Sequence, residues 1–416
     1  YVPEAPQGGD TSPITKRTEL LRKSIEYCGD LKNSEDRPAV ADEIDMLLGI
    51  QQVAESQVKW HFNVRTGDTR TFVLDTRTRR VFDALDAPPV LLSSDAIDEQ
   101  LPLPHPDGAS TPFTFVVSAA PAPGMQSIEQ LAQPLYASYY GMKAKVEHND
   151  LTDDDVGIVH GFAGADYEAW GFSVKGLESL LDRLANYKSV ILFSGDVHYG
   201  FSSVVDYWKG TSTTPRARIL TFTSSSAKNE DAGKWNLVNT AFVQRLMTGI
   251  GNNMEKVGWK NRVLSITGPA TLANRLRLRE NPAVVPVNGW VPGSTVNRQP
   301  DFRWRFRVLT DKNPHEDDPL SSDVDLSTDA GRQSAYETIT VRHRDSFISG
   351  VYRRMTFRSN VGLLSFETSG STVSAVHEYF FVAGSRDASN DKAKSHIKHK
   401  IEIVAPSGER LRPVLP

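Results

Sequence analysis

One stretch constrains the fold more than any other. Leu177, Leu180, Leu181 and Leu184 recur at i, i+3, i+4 and i+7, the spacing of a single apolar helix face. Asn186-Tyr187-Lys188 then leads into Val190-Ile191-Leu192-Phe193, a continuous apolar run of strand length. A run without polar alternation is buried on both faces, so it predicts a central strand of a helix-covered sheet. Ser194-Gly195-Asp196-Val197-His198-Tyr199-Gly200 follows where this strand should end. In open α/β sheets that C-terminal edge is where ligands bind. The chain is therefore expected to be α/β, with its candidate site on this turn and with Gly195 and Gly200 supplying the bends.

The remaining pattern is organised around that unit. Residues 1–59 read as a polar N-terminal segment with helices near Lys16–Tyr27 and Ala41–Gln57. Trp60–Val64 and Thr71–Leu74 read as strands joined by a Gly67-Asp68 hairpin turn, and Phe113–Ser118 and Arg218–Thr223 as further strands of a core spanning 60–235. Residues 240–280 read as helical, with Phe242, Leu246, Leu272 and Leu276 among the apolar positions, and Pro282–Gly293 as a linker closing a 236–300 insertion. From 301 to 416 the pattern turns to β: Phe302, Trp304 and Phe306 alternate with arginines, and Thr338–Val341, Val361–Phe366, Ala375–Val382 and Ile397–Val404 continue in the same style.

Composition excludes several classes. At 416 residues, 39% hydrophobic and 24% charged, the chain has the make-up of an ordinary globular protein rather than a disordered one. A formal net charge of −4 gives no nucleic-acid signature. Cys28 is the only cysteine, so an intramolecular disulfide and a cysteine-built zinc cluster are both excluded. No stretch reaches the length of apolar sequence that spans a bilayer, and no signal peptide is visible from Tyr1.

By type, Asp196 and His198 are the best ligand candidates. An oxygen and an imidazole donor suit zinc, manganese or iron, whereas calcium prefers oxygen alone. The competing reading is an aspartate capping the next segment and a histidine hydrogen-bonded within a loop. The wider context bears on that choice. Ser194–Ser202 is followed by Asp206-Tyr207-Trp208 and by Thr223-Ser224-Ser225-Ser226-Ala227-Lys228-Asn229. Upstream stand Val73-Leu74-Asp75-Thr76-Arg77-Thr78-Arg79-Arg80, then Pro88–Ser93 with Gln100-Leu101, Val117–Pro123 and Asp166–Phe172; downstream stands Arg358-Ser359-Asn360-Val361-Gly362. In this order, across roughly residues 60–370, the succession resembles the PhoD-like branch of the calcineurin-type metallophosphoesterases.

That resemblance implies a metallophosphatase-type β-sandwich flanked by helices, followed by a β-rich C-terminal region. It implies metal-dependent hydrolysis of phosphate mono- or diesters, small phosphate-ester substrates, and two divalent or trivalent ions (manganese, zinc, iron or calcium) that activate a bridging water. Asp196 and His198 match the family's last ligand motif, and Asp75 and Arg77 its Leu-Asp-Thr-Arg turn, for which an organising or phosphate-facing role is implied. The family's earlier ligand turns, Gly-Asp-x-x-Tyr and Asp-Asp-His-Glu, have no counterpart in the 74 residues before Asp75. The chain is accordingly expected to be a C-terminal portion whose own activity is open, and export is compatible with the resemblance. The rival reading is a non-catalytic remnant whose β-rich region serves binding or assembly.

Other clusters have plainer explanations. His148 and His160 around Asp150–Asp155 read as a solvated acidic loop, and Asp317, Asp318, Asp323, Asp325 and Asp329 as a polar loop without the EF-hand pattern. Lys392, Lys394, Lys398 and Lys400 with His396 and His399 read as lysine protection of an edge strand, and the Phe302/Trp304/Phe306 stripe as a buried aromatic face.

Overall fold

The structure is a computed structural model that describes residues 18–19, 21–25, 37–48, 59–81, 89–104, 113–125, 128–129, 133–147, 169–225, 254–260, 264–269, 271–287, 290–309, 311, 328–330, 354–356, 359–382, 394–408 and 411–415. It divides into two units, Tyr1–Phe62 and Asn63–Pro416. Cys28, His148, Asp150–Asp155, His160, Asp166–Glu168, Lys228-Asn229, Phe242, Leu246, the aspartates from Asp317 to Asp325, Thr338–Val341 and Lys392 lie outside the described residues. The first unit contains helix α1 (Arg37–Leu48), which begins before the expected Ala41, and Lys23 forms an ion pair with Glu43.

The second unit begins within a hairpin, β1 (Phe62–Thr66) and β2 (Thr69–Val73), turned at Gly67 in a left-handed conformation (φ 57°). Next come α2 (Ser94–Gln100), β3 (Thr114–Val117), α3 (Gln133–Glu147), α4 (Val174–Leu184), β4 (Ser189–Ser194), β5 (Gly200–Lys209) and β6 (Ala217–Thr223). Then follow β7 (Met254–Trp259), β8 (Ile266–Thr267), α5 (Leu272–Arg277), β9 (Ala283–Pro286), β10 (Thr295–Val296) and β11 (Phe302–Val308). The chain closes with β12 (Met355–Thr356), β13 (Asn360–Ser369), β14 (Thr372–Val382) and β15 (Lys394–Glu402). Among the described residues no helix is long and apolar enough to cross a membrane.

The fold is mixed α/β, with one large mixed sheet and a separate C-terminal antiparallel sheet. Among the described residues the large sheet has ten strands in the order β1-β2-β3-β4-β6-β5-β11-β7-β9, with β12 paired to β5. β2, β3, β4 and β6 run parallel, and their registers place Val73, Val117, Phe193 and Phe222 level at their C-terminal ends. On one face lies a helical layer. Ser173 caps α4 by accepting from the Gly176 N–H at 3.0 Å, and Leu177, Leu180, Leu181 and Leu184 are all buried against Phe72, Val190, Leu192, Ile219 and Trp304. The opposite face of β4, β5 and β6 packs Ile191, Val204, Leu220 and Phe222 against Ala375 of the antiparallel sheet β13-β14-β15 and against Ile403, which follows β15. Phe366 of β13 stacks on Phe113 with ring centres 5.0 Å apart. Val190–Phe193 is therefore covered on both sides, which is why its sequence shows no alternation.

Several expectations are corrected. Met254–Trp259, read as helical, is strand β7, and its Gly258 leaves the space in which a Cβ would stand 2.1 Å from the Phe302 ring. Helix in the 240–280 stretch is confined, among the described residues, to α5, whose Leu272 and Leu276 are exposed rather than core-facing. The Pro282–Gly293 linker contains β9, an edge strand paired with β7 whose Val285 is fully buried. β11, assigned by the sequence to the C-terminal region, runs between β5 and β7 inside the large sheet. Its three aromatic rings are buried, while Arg305 pairs with Glu255 at 2.5 Å and Arg307 with Asp206 at 3.0 Å.

Candidate functional site

The four parallel strands end on one rim, and the residues singled out in the sequence stand there. After β2 the chain turns at Asp75, which is buried. Its Oδ1 accepts the backbone N–H groups of Arg77 at 3.1 Å and Thr78 at 2.8 Å, and its Oδ2 accepts from the Thr78 hydroxyl. The Asp75 N–H donates to Gln100 Oε1 of α2 at 2.8 Å. Both carboxylate oxygens accept hydrogen bonds within the turn. The turn projects Arg77, whose Nη2 donates to Asp196 Oδ2 at 2.5 Å across the end of β3. Both side chains are about half exposed (54% and 44%), so solvent screening leaves this pair worth about 0–1 kcal/mol.

After β4 the Gly195 N–H donates to Ala119 O at 3.0 Å, which fastens the turn to the end of β3. The next residues depart from the expected geometry. Positive φ falls on Asp196 (62°) and His198 (59°), not on the flanking glycines. Aspartate and histidine enter this region more readily than most residues, yet each such position costs on the order of 1–3 kcal/mol and persists only where its surroundings hold it. Here the His198 N–H donates to Ser225 Oγ at 3.1 Å, and buried Tyr199 accepts the Met125 N–H on its hydroxyl at 3.4 Å. Gly200 has another use: a Cβ there would stand 2.9 Å from Asn360 Oδ1.

Asn360 has a role at this rim that its sequence context does not signal. It opens β13, is buried, accepts from Ser224 Oγ at 2.8 Å and donates through Nδ2 to Ser225 O at 2.8 Å. Ser224 in turn continues the rim, its N–H donating to Ser194 O at 3.1 Å. The one sequence signal was its place in the Arg358–Gly362 segment, where it served as a mark of lineage without a role.

Two buried clusters flank the rim. On the helical side, Glu129 lies where a Cβ on either Gly124 or Gly171 would meet its carboxylate oxygens at 2.0 Å. Burial pushes Glu129 up to about 8 against the opposing pull of the Gly124 N–H and Lys256. Burial likewise raises Glu178, whose Oε1 accepts from Trp304 Nε1 at 2.8 Å, and lowers Lys256, whose ammonium sits 5.0 Å from the centre of the Trp304 ring. On the other face, Ser202 Oγ meets His377 Nδ1 at 3.1 Å, His399 Nδ1 at 2.9 Å and Tyr379 Oη at 2.5 Å. His399 is therefore a buried member of this node and not part of an exposed basic run. Lys398 and Lys400 lie on edge strand β15 and pair with Glu367 at 3.8 and 2.6 Å.

Asp196 and His198 offer one carboxylate and one imidazole, donor types suited to zinc, manganese or iron. Among the described residues no group of three or more histidine, cysteine, aspartate or glutamate side chains gathers in a way that could hold an ion. Asp196 Oδ2 already faces the Arg77 guanidinium. Two donors do not complete a two-metal centre, so the described residues alone do not fit one. What they do form is a rim with a strained Asp-x-His turn, an exposed guanidinium and three hydroxyl-bearing residues, Ser194, Ser224 and Ser225. Comparison of the chain with protein-family profiles, with curated proteins and with solved structures finds no match.

Proposed function

We propose that the chain belongs to the PhoD-like metallophosphoesterase lineage, whose reaction is hydrolysis of phosphate mono- or diesters, and that Asp196 and His198 close its metal site. The fold that goes with this reading is the helix-flanked metallophosphatase sandwich. One observation carries the proposal: two non-glycine residues, the two ligand candidates, hold left-handed backbone at the C-terminal rim of a parallel sheet, beside an arginine. Strain of this kind survives where a side chain has to be aimed. Arg77 is of the residue type that grips a phosphate through paired N–H donors, and Asp75 holds the turn that presents it. The described residues carry only part of the donor set such a reaction needs.

The rival reading, a remnant without catalysis, draws on the Arg77–Asp196 pair, which engages the carboxylate that the metal would need. Metal content and turnover separate the two. The protein isolated from its native host is tested for hydrolysis of an aryl phosphate and an aryl phosphodiester with manganese, zinc, iron or calcium, beside Asp196→Ala and His198→Ala forms. Loss of bound metal and turnover in both variants supports the phosphoesterase. Equal metal content in parent and variants removes the two residues from the ligand set.

A further inference from the structure

We propose that Asn360 is a positioning residue for the Asp196–His198 turn, so that the C-terminal sheet completes the candidate site instead of standing apart as a binding module. The importance of the turn rests on the reading above; the coupling itself does not. Asn360 Nδ2 donates to Ser225 O at 2.8 Å, and Ser225 Oγ accepts the His198 N–H at 3.1 Å. The amide of a residue on β13 thus fixes a serine on the rim of β6, and that serine holds the backbone of the left-handed histidine. A second arm runs from Asn360 Oδ1 to Ser224 Oγ at 2.8 Å, so both ends of the side chain amide are committed to the same rim.

Two glycines make the approach close enough. A Cβ on Gly200 would stand 2.9 Å from Asn360 Oδ1, and one on Gly362 would stand 2.6 Å from His377 Nε2 and 3.1 Å from Ser224 Cβ. The first glycine belongs to β5 at the end of the turn, and the second to β13 just after Asn360. Small residues on both surfaces allow the sheet to press its leading edge against the rim. A sheet docked only for stability has no need of a buried amide here, since an apolar contact like that of Phe366 on Phe113 would serve. A buried amide with partners for both of its ends sets a register.

The test uses protein labelled with nitrogen-15 on its ten histidines, which reduces the amide spectrum to a countable set. His198→Gln identifies the His198 signal. Asn360→Asp keeps an acceptor for Ser224 Oγ and loses the donor to Ser225 O. It should shift the His198 amide signal and accelerate its hydrogen exchange by about tenfold, the effect of about one hydrogen bond. The amides of His377 and His399, paired across β14 and β15, report on the C-terminal sheet itself and should not change. Ser225→Ala should reproduce the effect, and combining it with Asn360→Asp should add nothing. Asn360→Ser carries the same test if the aspartate form does not fold. Unchanged exchange at His198, additive effects, or equal acceleration at all three histidines overturns the proposal. No metal or substrate enters the measurement, so a chain that hydrolyses no phosphate ester leaves this result intact, and an active hydrolase with an uncoupled His198 removes only this inference.

Discussion

The hydroxyl of Ser202 has one proton and two acceptor sites, and three partners surround it. The arrangement closes if Tyr379 and one imidazole donate to it while it donates to the other imidazole. Both histidines are then neutral, with opposite tautomers. Burial pushes His377 from its ordinary 6.5 down to about 3, and repulsion from His399 adds to the fall. The groups facing it are Phe222 from β6, Gly362 from β13, Tyr379 beside it on β14 and His399 on β15, none of them a carboxylate. Its folded value lies below its unfolded one, so the unfolded chain binds the extra proton first. The stability this histidine contributes is therefore complete above its unfolded value and is lost as pH falls from 6.5 towards 3. The full drop is worth at most about 5 kcal/mol, of which about 2 kcal/mol is lost by about pH 5. Urea denaturation at about pH 7.5 and about pH 5 measures it, on the parent and on His377→Asn, whose amide reaches towards Ser202 but does not titrate. Glu129 and Glu178, both raised by burial, act in the opposite direction over the same range, so the parent-minus-variant difference is the quantity of interest. A variant that loses as much stability as the parent would show that His377 is not the responsible group.

Three further outcomes follow from the same geometry. His198→Gly relieves a left-handed position without touching its N–H bond to Ser225, so thermal unfolding of chelator-treated parent and variant should show a gain of about 0.5–1 kcal/mol; a variant destabilised under those conditions contradicts strain at this position. Lys256→Met removes a cation that opposes the burial shift of Glu178 and should cost about 1–3 kcal/mol in denaturant titrations at about pH 8, and less at about pH 6, where Glu178 is protonated; Lys256→Met with Glu178→Gln should recover most of it, and equal losses would show that the charges are not coupled. Gly258→Ala drives a methyl into the Phe302 ring and should destabilise by about 1–3 kcal/mol, with an unchanged melting temperature contradicting the close approach of β7 and β11.

How much was legible in the sequence depended on the range of the interaction. The helix–strand unit from Leu177 to Phe193 was readable because its signal is local periodicity. β7 was not, because it carries half-buried Lys256, seated beside the Trp304 ring, and Gly258, whose missing side chain is filled by Phe302 from a distant strand. β9 was disguised by Pro282 and Pro286 at its ends, which an edge strand tolerates. At the site, residue type alone marks the Asp-x-His turn, but its bends fall on Asp196 and His198 and not on the glycines, the usual carriers of positive φ. The side chain amide of Asn360 and the inward turn of Asp75 are long-range or conformational facts for which spacing offers no signal.

Hydrolysis of an aryl phosphodiester by the natively isolated protein, with its metal content measured on the same sample, tests the phosphoesterase reading of the Asp196–His198 turn. Metal-dependent turnover is expected, abolished by a chelator and eliminated, together with bound metal, by Asp196→Ala and by His198→Ala. Failure to hydrolyse either monoester or diester with manganese, zinc, iron or calcium, or turnover that persists undiminished in both variants, would contradict it.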